Sequence, residues 1–152
     1  MSLGSRPSYI VDASVAMKWY LPDEDFADEA DTLLTAFSLG QAALIAPHHI
    51  HYEVSNALRT AVHRHRLAEA RARQAMLDFL ELEIPTVVGT QLIVRGWSSA
   101  LQYDCALYDG LYVALAEMMG AQFVHADGRL RNTLAQRFPL ELWVEDFILG
   151  AP

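Results

Sequence analysis

Tyr9-Ile10-Val11-Asp12-Ala13-Ser14 is the stretch that decides the fold. Tyr9 to Val11 reads as a short buried strand, and Asp12 stands at its carboxyl end. A helix follows from Ser14 to Tyr20 and stops before Pro22, because a proline disfavours helical geometry in the residue ahead of it. The same alternation continues along the chain. Asp23 to Phe37 carries acids in its first turns and apolar Phe26, Ala30, Leu33, Leu34 and Phe37 at helical spacing, with Gly40 past its end. Ala43 to Ala46 makes a second strand, stopped by Pro47. A helix then runs to about Arg66 with Ile50, Val54, Ala57, Leu58 and Ala61 on one face. Another helix covers Ala68 to Leu82, and Ile84 to Val88 is a third strand. Thr90 is placed to cap a helix reaching Gln102. Asp109 opens a helix closed by Gly120, and Gln122 to His125 is the fourth strand. A short helix from Arg129 to Arg137 and a weak strand from Leu142 to Val144 complete the pattern. Strands that alternate with helices imply a parallel sheet covered on both faces.

The chain has 152 residues, enough for one domain with a proper core. A hydrophobic content of 53% with only 20% charged residues argues against long disordered tails. No apolar run approaches the roughly 18 residues needed to cross a membrane. Residues 1–8 read as a disordered segment or a cloning scar, without the apolar core of an export signal. The lone Cys105 cannot form an internal disulfide, which suits a reducing cytoplasm. A net charge of −8 argues against binding nucleic acid through overall charge, although a cation can neutralise acids locally.

Four of those acids stand out. Asp12 and Asp127 follow the apolar runs Tyr9–Val11 and Phe123–Ala126. Asp109 precedes Gly110-Leu111-Tyr112-Val113-Ala114-Leu115-Ala116, and Glu53 lies within Ile50-His51-Tyr52-Glu53-Val54-Ser55-Asn56. Carboxylates beside apolar stretches are costly to bury unless they are paired or bound to a cation. Ligands of parallel sheets gather beyond the carboxyl ends of the strands, where Asp12 and Asp127 fall. Asp109 gains from the positive end of its helix dipole. Taken singly, each acid reads as a cap, a turn residue or an exposed helix acid. Taken together they suit Mg²⁺ or Mn²⁺, which prefer carboxylate and water oxygens and can hold the reacting oxygens of a phosphodiester.

The segments Ile10-Val11-Asp12-Ala13-Ser14, Tyr52-Glu53-Val54-Ser55-Asn56-Ala57-Leu58, Tyr108–Ala116 and Val124-His125-Ala126-Asp127-Gly128-Arg129-Leu130 resemble the PIN domain (PilT N-terminus) in order and spacing. Size and layout are similar to the VapC-type toxin ribonucleases. The resemblance implies a three-layer α/β/α fold with a central parallel sheet of four to five strands, occupying residues 9–147. It implies Mg²⁺- or Mn²⁺-dependent cleavage of RNA by a homodimer, with a cognate antitoxin that blocks the site. It makes Asp12, Glu53, Asp109 and Asp127 the catalytic and metal-binding acids, and Ser14 and Asn56 polar supports. His125 departs from the Thr or Ser common in that family, and a histidine there can bond to the acids or to a phosphate. Gly110, where relatives often carry Ala, is read as a mild change.

Rival readings are weaker. His48, His49 and His51 invite zinc, but neither a Cys₂His₂ nor a His-Glu-x-x-His pattern is present, so they read as partly exposed first-turn histidines. Asp104 reads as a turn residue close to the acidic rim. Cys105 has no base placed to activate it. The basic stretch with Arg64, Arg66, Arg71 and Arg73 is either a solvated helix end or an RNA contact. Trp19, Trp97 and Tyr103 suit core or dimer packing better than base stacking. An aspartyl-phosphate phosphatase or receiver domain wants a late lysine, and Lys18 is the only lysine. A non-catalytic binding module of the same fold would be favoured by a missing acid, and none of the four is missing.

Overall fold

A computed structural model describes residues 6–149. Five parallel strands form one sheet in the order β3-β2-β1-β4-β5, where β1 is Ser8–Val11, β2 Ala43–Pro47, β3 Thr86–Val87, β4 Gln122–His125 and β5 Glu141–Trp143. Among the described residues, seven helices cover it: α1 Ala13–Lys18, α2 Ala27–Ser38, α3 Ile50–His63, α4 Glu69–Glu81, α5 Thr90–Tyr103, α6 Leu107–Met119 and α7 Gly128–Leu134. A 3-10 turn, Val144–Asp146, follows β5. The three-layer α/β/α architecture expected from the sequence is present. Among the described residues, no helix is long and apolar enough to cross a membrane.

Topology fixes where a site can form. From β1 the chain moves outward through β2 and β3, then returns to add β4 on the other side of β1. The crevice outside the carboxyl ends of β1 and β4 is therefore the switch point at which parallel sheets bind ligands. Both strands are buried in the core, with Ile10, Val11, Phe123 and Val124 fully enclosed. Apolar runs this short bury themselves only in a central strand covered on both faces.

Helix α6 is buried from Gly110 to Ala116, as a helix apolar all round must be. It lies against β1, β2 and β4 on one side and α5 on the other. The α5–α6 contact corrects the view of Gly110 as a mild change. A Cβ at Gly110 would fall well inside contact distance of the Gly96 carbonyl oxygen and 2.9 Å from the Ala100 nitrogen. One at Gly96 would meet Leu111 Cδ2 at 2.5 Å. The two glycines let the helix backbones approach one residue away from Asp109.

Several element ends also differ from expectation. Helix α2 begins at Ala27 rather than Asp23, because Lys18 Nζ holds the Asp25 carbonyl at 2.6 Å and Arg66 reaches Glu24 at 3.3 Å. Those contacts keep the acids in a loop, and Phe26 then enters the helix with φ of 61°. Gly89, not Thr90, is the capping residue of α5. Helix α6 starts two residues before Asp109, which therefore sits within its first turn. Helix α7 ends at Leu134, since Arg137 is drawn away to donate to the Gln102 carbonyl at 2.8 Å. Strand β3 keeps only Thr86 and Val87 of the expected Ile84–Val88, and β5 pairs one residue earlier than expected. Strand β1 begins at Ser8, inside the segment expected to be loose, while residues 1–5 lie outside the described residues.

Candidate metal centre and active site

Asp12 is the deepest of the acids, 6% exposed at the end of β1. Its backbone N–H donates to Val124 of β4 at 3.0 Å, which joins the two strands at the switch point. Its side chain caps α1 by accepting the Ser14 N–H at 3.0 Å, and the same oxygen accepts the Ser14 hydroxyl. Ser14 Oγ in turn accepts the Ala126 N–H at 2.9 Å. One serine thus ties the first acid to the loop that carries the last. Asp127 caps α7, its Oδ1 accepting the Arg129 and Leu130 N–H groups at 2.9 and 3.3 Å. Asp109 lies in the first turn of α6 and Glu53 in the first turn of α3.

Electrostatics show that these acids share one region. Burial pushes the Asp12 carboxyl up to about 6, and the charge of Glu53 adds to the rise. Burial also pushes Asp109 up to about 6, with Asp127 and Glu53 adding to it. Four carboxylates from β1, α3, α6 and the β4–α7 loop therefore act on one another. Among the described residues, no three His, Cys, Asp or Glu side chains stand close enough to form a ready cage for an ion. The acids are hydrogen-bonded by Ser14, Tyr112 and the α7 N-terminus, and they offer hard oxygen donors with a net excess of negative charge. That donor chemistry fits a divalent cation of the Mg²⁺ or Mn²⁺ type and poorly fits a soft metal.

The fate of the other candidates varies. His125 does not reach the acids through a hydrogen bond. It is fully buried, stacks on Phe123, and its Nε2 pairs with Glu141 at 2.8 Å. Its charge still acts on Asp12. Asn56 is exposed on α3, one turn beyond Glu53, and among the described residues its side chain makes no hydrogen bond to the acids. Asp104 is exposed and takes a left-handed conformation at the end of α5, as a turn residue would. Burial pushes the Cys105 thiol up to about 11, so it is no nucleophile at neutral pH. Lys18 is spent on the Asp25 carbonyl and Glu24, which removes the lysine that phosphotransfer to an aspartate would need. Trp19 donates to the Ala30 carbonyl and Tyr103 packs on Phe138, so neither is open for stacking. Arg64 lies at the end of α3, about 16 Å along the helix from Glu53, and Arg66 is paired with Asp23 and Glu24. Arg71 and Arg73 are exposed on α4.

Three residues that the sequence reading did not assign to the acids act on them. Arg129 is the one guanidinium that acts on Asp109. Tyr112 is fully buried and donates its hydroxyl to Glu53 Oε1 at 2.8 Å. Burial, with Asp12 and Glu53 alongside, holds that hydroxyl well above its usual range, so it stays a donor. His49 Nε2 stands 3.0 Å from the same Glu53 oxygen. That contact is close without being aligned as a hydrogen bond, and Nε2 has no other partner among the described residues. Helical spacing could have found both. Tyr112 follows Asp109 by three residues, and His49 precedes Glu53 by four.

The PIN domain family matches residues 9–134. Ribonuclease VapC9 of Mycobacterium tuberculosis is 31% identical over 131 residues, which cover 86% of this chain and 94% of that protein. The fold is similar to that of PAE2754 from Pyrobaculum aerophilum, with a TM-score of 0.67 and 21% identity over 92% of each chain. A structure of VapBC2 from Rickettsia felis, bound to a DNA fragment from its promoter, gives a TM-score of 0.59 and 10% identity, covering 90% of this chain and 96% of that one. At those identities the two structures speak for the fold alone.

Proposed function

Since the chain belongs to the PIN-domain family, we propose that it is a metal-dependent endoribonuclease and the toxin half of a toxin–antitoxin pair. One observation carries this reading: Asp12, Glu53, Asp109 and Asp127 come from four separate elements, with the charge of Glu53 raising the cost of ionising both Asp12 and Asp109 and that of Asp127 raising it further at Asp109. Evolution of such a site is hard to explain by stability, because burying unpaired carboxylates opposes folding. The four acids would hold Mg²⁺ or Mn²⁺. A cation there supplies positive charge that offsets the acids, favours ionisation of water and stabilises charge developing on the phosphodiester.

The chain's own groups would do the rest. Asp12, fixed by Ser14, anchors the rear of the site. Glu53, Asp109 and Asp127, all partly exposed, can accept hydrogen bonds from the attacking water and hold its lone pair in line with the P–O3′ bond. Water adds to phosphorus and gives up one proton to a carboxylate of the site, the P–O3′ bond breaks, and the leaving 3′-oxygen takes up a proton from solvent, giving a 5′-phosphate and a 3′-hydroxyl. Arg129, whose charge acts on Asp109, would meet a non-bridging phosphate oxygen. Arg64, Arg71 and Arg73 can extend a track for the RNA backbone only at longer range. Purified protein should therefore cut RNA with Mg²⁺ or Mn²⁺ and stop in chelator; cleavage indifferent to chelator would remove the metal from the account.

Partners follow the same reading. An antitoxin related to those of the VapBC systems would block the site, within the cytoplasm. A second copy of this chain suits the outer face of α5, where Ile93, Val94, Trp97 and Leu101 form an exposed apolar stripe and Trp97 is 60% exposed. Trp97→Asp should convert a dimer to a monomer in light scattering without lowering Tm by more than a few degrees. A wild-type protein that is monomeric at all concentrations would remove the dimer.

A further inference from the structure

Resting on the metal-site reading above, the geometry around one oxygen points to a division of labour within Glu53. We propose that Tyr112 and His49 are positioning residues that clamp Glu53 Oε1, so that the carboxylate presents Oε2 to the cation. Neither residue is one of the four acids, and they reach Glu53 from different directions. Tyr112 comes from α6, 59 positions further along the chain, and bonds Oε1 at 2.8 Å. His49 stands just before α3 and reaches the same atom at 3.0 Å.

The surroundings fix both side chains. The Tyr112 ring is fully buried and stacked on Phe123 of β4, with ring centres 5.4 Å apart and planes 11° apart. The hydroxyl therefore has a position set by the central sheet rather than by a mobile loop. His49 is packed between Tyr108 and Tyr112, with centroid distances of 5.2 and 5.0 Å. Glu53 itself is partly exposed on the first turn of a helix, and it has the longest side chain of the four acids. An unrestrained glutamate would sample several rotamers and lose freedom on binding an ion. Two contacts on one oxygen remove that freedom in advance. Outer partners that orient a ligating carboxylate commonly set metal affinity within a factor of 10–100.

Tyr112→Phe keeps the ring and removes only the donor. Mn²⁺ titration by calorimetry should show affinity weakened about tenfold, within the range known for such partners. Cleavage at saturating Mn²⁺ should stay within about twofold of wild type, whereas cleavage at limiting Mn²⁺ should fall with the lost affinity. A purely structural role would lower Tm and leave the Mn²⁺ midpoint alone. His49→Ala should weaken Mn²⁺ binding, and His49→Gln, which keeps a donor, should recover part of the loss. Asp12→Asn run in parallel separates two kinds of failure. If Asp12→Asn abolishes Mn²⁺ binding while Tyr112→Phe titrates as wild type, the clamp is wrong and the metal site stands. If both variants bind Mn²⁺ as wild type does, the metal-site reading falls and takes the clamp with it.

Discussion

Asp12→Asn should abolish RNA cleavage and, in metal-free protein near neutral pH, raise the melting temperature. The two effects share one cause. Asp12 is 6% exposed, and its carboxyl is raised to about 6 by burial and by the charge of Glu53. An acid whose folded pKa lies above its unfolded value binds more protons folded than unfolded. Its contribution to stability is therefore present at low pH and is lost as pH rises from about 4 through about 6. A rise from 3.8 to about 6 corresponds to about 3 kcal/mol. Asparagine has no charge to bury and can still accept the Ser14 N–H. In EDTA, the Tm of the variant minus that of wild type should thus be small near pH 4, grow to about 5–10 °C near pH 7.5, and then level off. Added Mn²⁺ should reverse the order by stabilising wild type alone. A Tm difference that does not change with pH would show that Asp12 is not ionised against a cost.

Gly110→Ala should be among the most damaging single-methyl changes in the chain. Its Cβ would press on the Gly96 carbonyl and the Ala100 backbone, neither of which is the end of a flexible side chain. Relief requires α5 to move off α6, and overpacking of this kind costs about 1–3 kcal/mol. The Tm should fall by about 2–12 °C. Activity should fall by more than the lost stability explains, because Asp109 is the adjacent residue on the shifted turn. Pairing it with a change at Gly96 cannot help, as Gly96 has no atoms to remove. A Gly110→Ala protein with unchanged Tm and cleavage rate would mean that the helices part without consequence. The constraint is set by the α5 backbone at Gly96 and Ala100.

Much of this could be read in the sequence, for physical reasons. Tyr9–Val11 and Phe123–His125 are short, apolar and followed at once or nearly so by an acid, which only a central strand ending at a site explains. The helical faces of α3 and α6 were equally plain from spacing. What escaped was set by contacts between distant residues. The start of α2 depends on Lys18 and Arg66 holding a loop, and the end of α7 on Arg137 reaching α5. Tyr112 sat inside an apolar run and gave no sign of its hydroxyl's partner on α3. His125 looked like a neighbour of the acids by position, yet strand β5 supplies Glu141 to pair with its Nε2. Gly110 looked permissive because its constraint lies on another helix.

The most direct test of the central claim is the chemistry of the cut ends. A 5′-labelled RNA incubated with wild-type protein and Mn²⁺ should yield fragments with a 3′-hydroxyl and a new 5′-phosphate. Asp109→Ala and EDTA should each leave the RNA intact. Fragments ending in a 2′,3′-cyclic phosphate, formed equally with EDTA and by the Asp109 variant, would contradict the account, because attack by the RNA's own 2′-hydroxyl needs neither the four acids nor a cation.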